Sequence, residues 1–279
     1  VNMYDLVLKN CNVVNENVVS EVDIGINNER IEKIAVNISS EARNEIDLQG
    51  KLLIPGLIDD QVHFREPGLT HKGEIATESK AAIAGGVTSY FEMPNVNPNT
   101  STIENLEKKF DIAANKSYAN YSFYLGATND NIEEIKKSDP NASCGLKVFM
   151  GASTGDLLVN KYESLEKIFE HCPTNIVTHC EDPKRLIENE NIFQEKYGDQ
   201  LHAAHHAVIR DEECCYLSSS LAVGLAKKFG ANLHVLHLST KREMDLFEPG
   251  PIDNKKITAE GCVHPVSYTH LRAHETTCD

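Results

Sequence analysis

From Pro55 onward the chain repeats one rhythm, a short apolar run, a polar loop and a longer amphipathic stretch, and this repetition constrains its fold more than any other feature. The runs Leu57–His63, Val87–Glu92, Ser122–Gly126, Gly145–Phe149, Asn175–His179, Asn232–His237 and Lys256–Ala259 read as strands. Between them Ile75–Ala84, Ile103–Ala114, Ile132–Lys137, Leu157–His171, Lys184–Glu190 and Arg210–Lys228 read as helices. Gly85-Gly86 and Phe229-Gly230 stop two of those helices just before a strand. Strands separated by helices pair in parallel, with the helices covering the sheet. The fold class expected is α/β, a (β/α)8 TIM-type barrel over residues 56–264 that is incomplete at seven strands. Residues 1–55 differ, with short strand-like runs broken by turns such as Asn27-Asn28 and Gln49-Gly50. They suggest the N-terminal part of a small composite β-domain, too short to bury a core alone.

Composition removes several classes of function. A formal charge of −15 opposes a nucleic-acid or anionic-membrane surface, because both present phosphate. No run approaches the roughly 18 apolar residues of a membrane span, and the N-terminal stretch, with Asp5 in an alternating pattern, is not a signal peptide. The eight cysteines show no CxxC and no framework spacing, so they read as buried thiols of a cytoplasmic protein rather than metal ligands.

In a barrel of this kind the reacting groups stand at the C-terminal ends of the strands. The polar residues there are Gln61, His63, Arg65, Asn95, Lys147, His179 and His237. A lone histidine at a strand end is usually a hydrogen-bonded core residue. Three neutral imidazoles on one rim, with a lysine among apolar neighbours, suit Zn²⁺ instead. Lys147 alone would read as a snorkelling or salt-bridged lysine. Its other reading is chemical: desolvation lowers a lysine's pKa, and the neutral amine can take up CO2 to become an anionic carbamate ligand.

These residues sit in motifs. The segments Pro55-Gly56-Leu57-Ile58-Asp59-Asp60-Gln61-Val62-His63-Phe64-Arg65-Glu66-Pro67-Gly68, Glu92-Met93-Pro94-Asn95, Gly145-Leu146-Lys147-Val148-Phe149-Met150, Thr178-His179-Cys180-Glu181-Asp182 and Leu236-His237-Leu238-Ser239 follow one another in order. Together they resemble the dihydroorotases of the amidohydrolase superfamily, from about residue 4 to 264. The resemblance implies that His63, Lys147 (as carbamate), His179 and His237, with Gln61 as a further candidate, bind one or two zinc ions. It also implies that Arg65 and Asn95 hold the ring carboxylate of dihydroorotate. A guanidinium fits that role, since its planar fork pairs a carboxylate bidentately. The implied reaction is reversible hydrolysis of dihydroorotate to N-carbamoyl-aspartate, a step of pyrimidine synthesis, by a homodimer when full length.

The sequence departs from the family pattern twice. Gln61 stands where a first histidine is expected and offers only a neutral amide oxygen, so a single metal held mainly by Lys147, His179 and His237 is one expectation. The aspartate expected to end an eighth strand and move the proton is absent, which leaves the catalytic residue unknown and predicts little or no turnover. Residues 265–279 resemble the translation of a sequencing adapter rather than a strand or a helix, so a truncated chain with a non-native tail is expected. His264, His270 and His274 offer a weaker reading of that tail as a metal tract. Truncation would leave two unpaired strand edges and poor stability.

Other readings stay open. A hydantoinase or allantoinase would share the metal site but has no carboxylate for Arg65 to hold. A non-catalytic scaffold for a partner enzyme such as aspartate carbamoyltransferase is favoured by Gln61 and opposed by Lys147, His179 and His237. His202, His205 and His206 read as surface histidines, and Glu181 and Asp182 as groups that orient a neighbour or cap a helix.

Overall fold

The computed structural model describes residues 3–151 and 155–261. The tail from residue 265, with His270 and His274, and His264 before it, lies outside them. The chain divides into two compact units after Leu57.

The first unit is a five-stranded sheet: β1 (Tyr4–Asn15), β2 (Val18–Asn27), β3 (Arg30–Ala35), β4 (Ala42–Asp47) and β5 (Leu52–Leu53). The order is β3-β2-β1-β4, with β5 also on β1. Two tight hairpins build it, and the pairs Glu16-Asn17 and Asn28-Glu29 both take positive φ. That geometry matches the right-handed twist of the flanking strands. Strand β1 is longer than the short strand-like runs expected over residues 1–55. Asn10, at φ 53°, lies within a register shift between Leu8 and Cys11, and the strand then resumes on β2. Tyr4, Val7 and Ile38 form a small core, while Val18, Val19, Ile31, Ile34 and Ile46 are exposed. The buried carboxylate of Asp23 accepts from Lys9 Nζ, the Asn10 N–H and the Ile38 N–H, so a polar knot supplements the thin core.

The second unit has seven strands: β6 (Leu57–Val62), β7 (Val87–Glu92), β8 (Asn120–Gly126), β9 (Gly145–Phe149), β10 (Ile176–His179), β11 (Leu233–Val235) and β12 (Ile257–Ala259). They lie in sequence order in one curled parallel sheet, the sheet of an incomplete (β/α)8 barrel, with β6 and β12 as its end strands among the described residues. The helices are α1 (Ile75–Ala84), α2 (Ile103–Lys116), α3 (Ile132–Ile135), α4 (Tyr162–His171), α5 (Pro183–Tyr197), α6 (His206–Ile209), α7 (Glu212–Phe229) and α8 (Lys241–Met244). Helix α4 starts later than its apolar pattern suggests, because Leu158 first bridges to Phe149 and the Val159 N–H donates to the Phe149 carbonyl. Helix α7 begins on an Asp211 cap and ends at Gly230, whose φ of 69° suits glycine. No helix of the described residues is long and apolar enough to cross a membrane.

Strand alternation sorts the side chains into two layers. Leu125, Leu146, Val148, Ile176, Leu233 and Val235 pack outward against Ile168 and Phe169 of α4 and Val223 and Ala226 of α7. Tyr124 and Val177, from the opposite face of β8 and β10, cluster with Met93 and Leu236. Leu146 is wholly buried in the outer layer. Its replacement by alanine is expected to cost about 2–5 kcal/mol, because the packed layer cannot fully close over the void; urea unfolding of the two proteins measures the difference.

Candidate active site

Lys147 lies between Leu146 and Val148, and both neighbours belong to the outer layer. Alternation therefore turns Lys147 to the inner face, beside Val177 of β10 and Gly126 of β8. It is 1% exposed, its amine faces the Phe149 ring at 4.7 Å, and no carboxylate of the described residues lies within ion-pair range. Burial pushes it down to about 7, so a neutral amine is accessible near neutral pH.

His179 ends β10, and His237 follows the short strand β11 with a φ of 39°. His179 Nδ1 and His237 Nε2 are 3.1 Å apart. On the other side His179 Nε2 donates to Glu181 Oε2 at 2.8 Å, and Arg210 reaches the same oxygen at 2.9 Å. Burial would raise Glu181, but the bond from His179 and the charge of Arg210 hold it below the usual carboxylate range. Because the Nε2–H is donated to Glu181, Nδ1 is left as a lone pair facing His237. Burial pushes His237 down to about 3, helped by His179 and Lys147.

His63 follows β6, and its Nδ1 donates to Asn95 Oδ1 at 2.9 Å, so Nε2 keeps its lone pair. Burial, then Arg65 and Lys147 among others, push His63 down to about 4. The amine of Lys147 thus acts on both His63 and His237. Arg65 has a φ of 70°, and its NH1 reaches the Asn95 carbonyl at 3.5 Å. Asn95 is 9% exposed. Its amide NH2 remains a donor, the polarity a substrate carboxylate requires. Gln61 Oε1 is buried without a hydrogen-bond partner among the described residues.

Three features fit a metal ion among these residues. Two imidazole nitrogens converge at a separation that ligands about 2.0–2.1 Å from one zinc ion would adopt. Among the described residues, one amide oxygen has no hydrogen-bond partner, and one buried amine has no carboxylate within ion-pair range.

A second grouping was not anticipated. Asp60, His234 and Glu260 place a ligand atom each within 4.8 Å of one another, a candidate metal-binding group drawn from β6, β11 and the residue after β12. His234 Nε2 lies 3.6 Å from Glu260 and 3.8 Å from Asp60. Burial and then Glu260 push Asp60 up to about 6. Glu260 also accepts from the His237 N–H at 3.3 Å. Strand periodicity gave no signal for this group, because its members come from two strands and the residue that follows a third. Of the three histidines read as surface residues, His202 and His206 are exposed and His205 is half-buried, packed against His202.

Neutral, buried imidazoles make stability depend on pH. Both histidines titrate lower in the folded chain than the ordinary value of 6.5, so below that value the unfolded chain binds more protons. Stability of chelator-treated protein is expected to be full above pH 6.5. It should fall as the pH drops towards about 4 for His63 and about 3 for His237. Calorimetry across this range measures the slope, and His237→Gln should make it shallower.

A model of the dihydro-orotase-like family matches residues 50–243. The chain is 29% identical over 269 residues to a dihydroorotase of Methanosphaera stadtmanae, covering 95% of this chain and 60% of that protein. It is 30% identical over 268 residues to an allantoinase of Bacillus velezensis, covering 94% and 58%. Among solved structures it resembles an L-hydantoinase (dihydropyrimidinase) from Arthrobacter aurescens, with a TM-score of 0.89 and 25% identity over 98% of this chain and 61% of that one. The chain therefore spans about 60% of the length of these relatives.

Proposed function

The chain belongs to the dihydro-orotase-like family, and on that premise we propose that it is a zinc-dependent cyclic amidohydrolase acting on dihydroorotate. The observation that carries the choice of substrate is Arg65. Its guanidinium shares one rim with the His63–Asn95 pair, and the NH2 of Asn95, which has no acceptor among the described residues, adds a second donor. A ring bearing a carboxylate gives both donors a partner; a hydantoin or allantoin ring leaves the guanidinium unmatched.

His63, Lys147, His179 and His237, with the orphaned oxygen of Gln61, would hold one or two zinc ions, Lys147 as its carbamate. A bound zinc ion supplies Lewis-acid polarisation of the scissile amide and an acidified water. The residues of the chain do the rest. Glu181 fixes the tautomer of His179, Asn95 fixes that of His63, and Arg65 orients the ring by its carboxylate. The allantoinase relatives support a second reading, in which the same centre opens a ring without a carboxylate.

Ligand binding to the purified, zinc-loaded chain separates the two. Dihydroorotate is expected to raise the melting temperature more than allantoin or hydantoin at equal concentration. Arg65→Ala should weaken dihydroorotate about 10- to 150-fold, the effect of losing a charged hydrogen-bonding partner worth about 1.5–3 kcal/mol. An equal response to all three rings would favour the second reading. Metal analysis of the same preparation tests the ligand set: zinc content should fall in His179→Ala and His237→Ala.

A further inference from the structure

Behind the rim lies a charged pair that the proposed chemistry does not use. Glu92 ends β7, and Lys109 stands in the middle of α2; both side chains are 0% exposed. Lys109 Nζ lies 2.8 Å from Glu92 Oε2, an ion-pair contact, but it aims its hydrogen bond at the Met93 carbonyl, 2.9 Å away. The other oxygen, Glu92 Oε1, accepts from the Arg65 N–H at 2.9 Å. The pair therefore grips two backbones. One is Arg65, which sits in the left-handed region at φ 70°. The other is Met93, two residues before Asn95.

Such a pair is a weak source of stability, because burying two charges cancels most of their attraction, and apolar residues of similar volume often serve as well. Direction is what apolar residues cannot supply. They would leave the Arg65 N–H without its acceptor and the Met93 carbonyl without its donor. A left-handed arginine persists only where its surroundings over-determine it. We infer that Glu92 and Lys109 are positioning residues that hold Arg65 and Asn95 at the spacing needed to select a ring carboxylate. This inference rests on the carboxylate-binding role proposed above for Arg65.

The test compares the binding of dihydroorotate with that of dihydrouracil, the same ring without its carboxylate, to the full chain loaded with zinc. In the unmodified chain dihydroorotate should bind more tightly; if it does not, the reading of Arg65 fails, and this inference with it. Glu92→Asp keeps the charge and the Lys109 partner but withdraws the carboxylate from the Arg65 N–H by one methylene. It should weaken dihydroorotate about tenfold and leave dihydrouracil unchanged. In an Arg65→Ala background Glu92→Asp should have no further effect, since it acts through that arginine. Unchanged selectivity in Glu92→Asp, or equal weakening of both rings, would overturn the inference while leaving the role of Arg65 standing. Should Glu92→Asp fold poorly, Lys109→Met, which releases the Met93 carbonyl, is read by the same ratio of affinities and the same two outcomes.

Discussion

Lys147 has no freedom to choose its side of the sheet. Its neighbours Leu146 and Val148 are wholly buried beneath α4 and α7, and a one-residue slip would expose both and bury the amine among leucines. The hydrophobic layer outside the barrel thus determines the polar arrangement inside it. The same logic turns Val177 inward and sets the register of β10 against β9, which carries His179 to the rim. A large apolar layer on one face maintains a small polar group on the other.

At the rim the strands end, and regular hydrogen bonding with them. Two predicted site residues, Arg65 and His237, have positive φ. Each has its backbone N–H captured by a glutamate from the neighbouring strand, Arg65 by Glu92 beyond β6 and His237 by Glu260 beyond β11. The recurrence has a physical reason. A chain turning off a strand end exposes an N–H that its ladder no longer satisfies, and inside a barrel mouth an acceptor must come from protein. A carboxylate at the end of the next strand is close enough and strong enough to hold an unfavourable backbone conformation.

The histidines follow a related division of labour. Each of His63 and His179 gives one ring nitrogen to a partner, Asn95 or Glu181, and so presents the other as a lone pair. Burial keeps His63 from protonating near neutral pH, with a value of about 4. Neutral imidazoles with assigned tautomers are the form in which histidine binds a metal.

Much of this was legible in the chain itself. The alternation of apolar runs and amphipathic stretches determined the parallel sheet, because parallel strands need a long crossover, usually a helix. Strand ends located His63, His179 and His237, whereas Lys147, expected at a strand end, lies in the middle of β9. The tertiary structure decided what periodicity cannot carry. Asp60 on β6 meets His234 on β11 and Glu260 just past β12, Glu181 meets Arg210 beyond helices α5 and α6, and Lys109 reaches from a helix to the strand end that bears Glu92. Sequence records which side chains face the core, since burial leaves a period. It does not record which polar groups satisfy one another, since a hydrogen bond depends on the closing of the sheet and leaves no period behind.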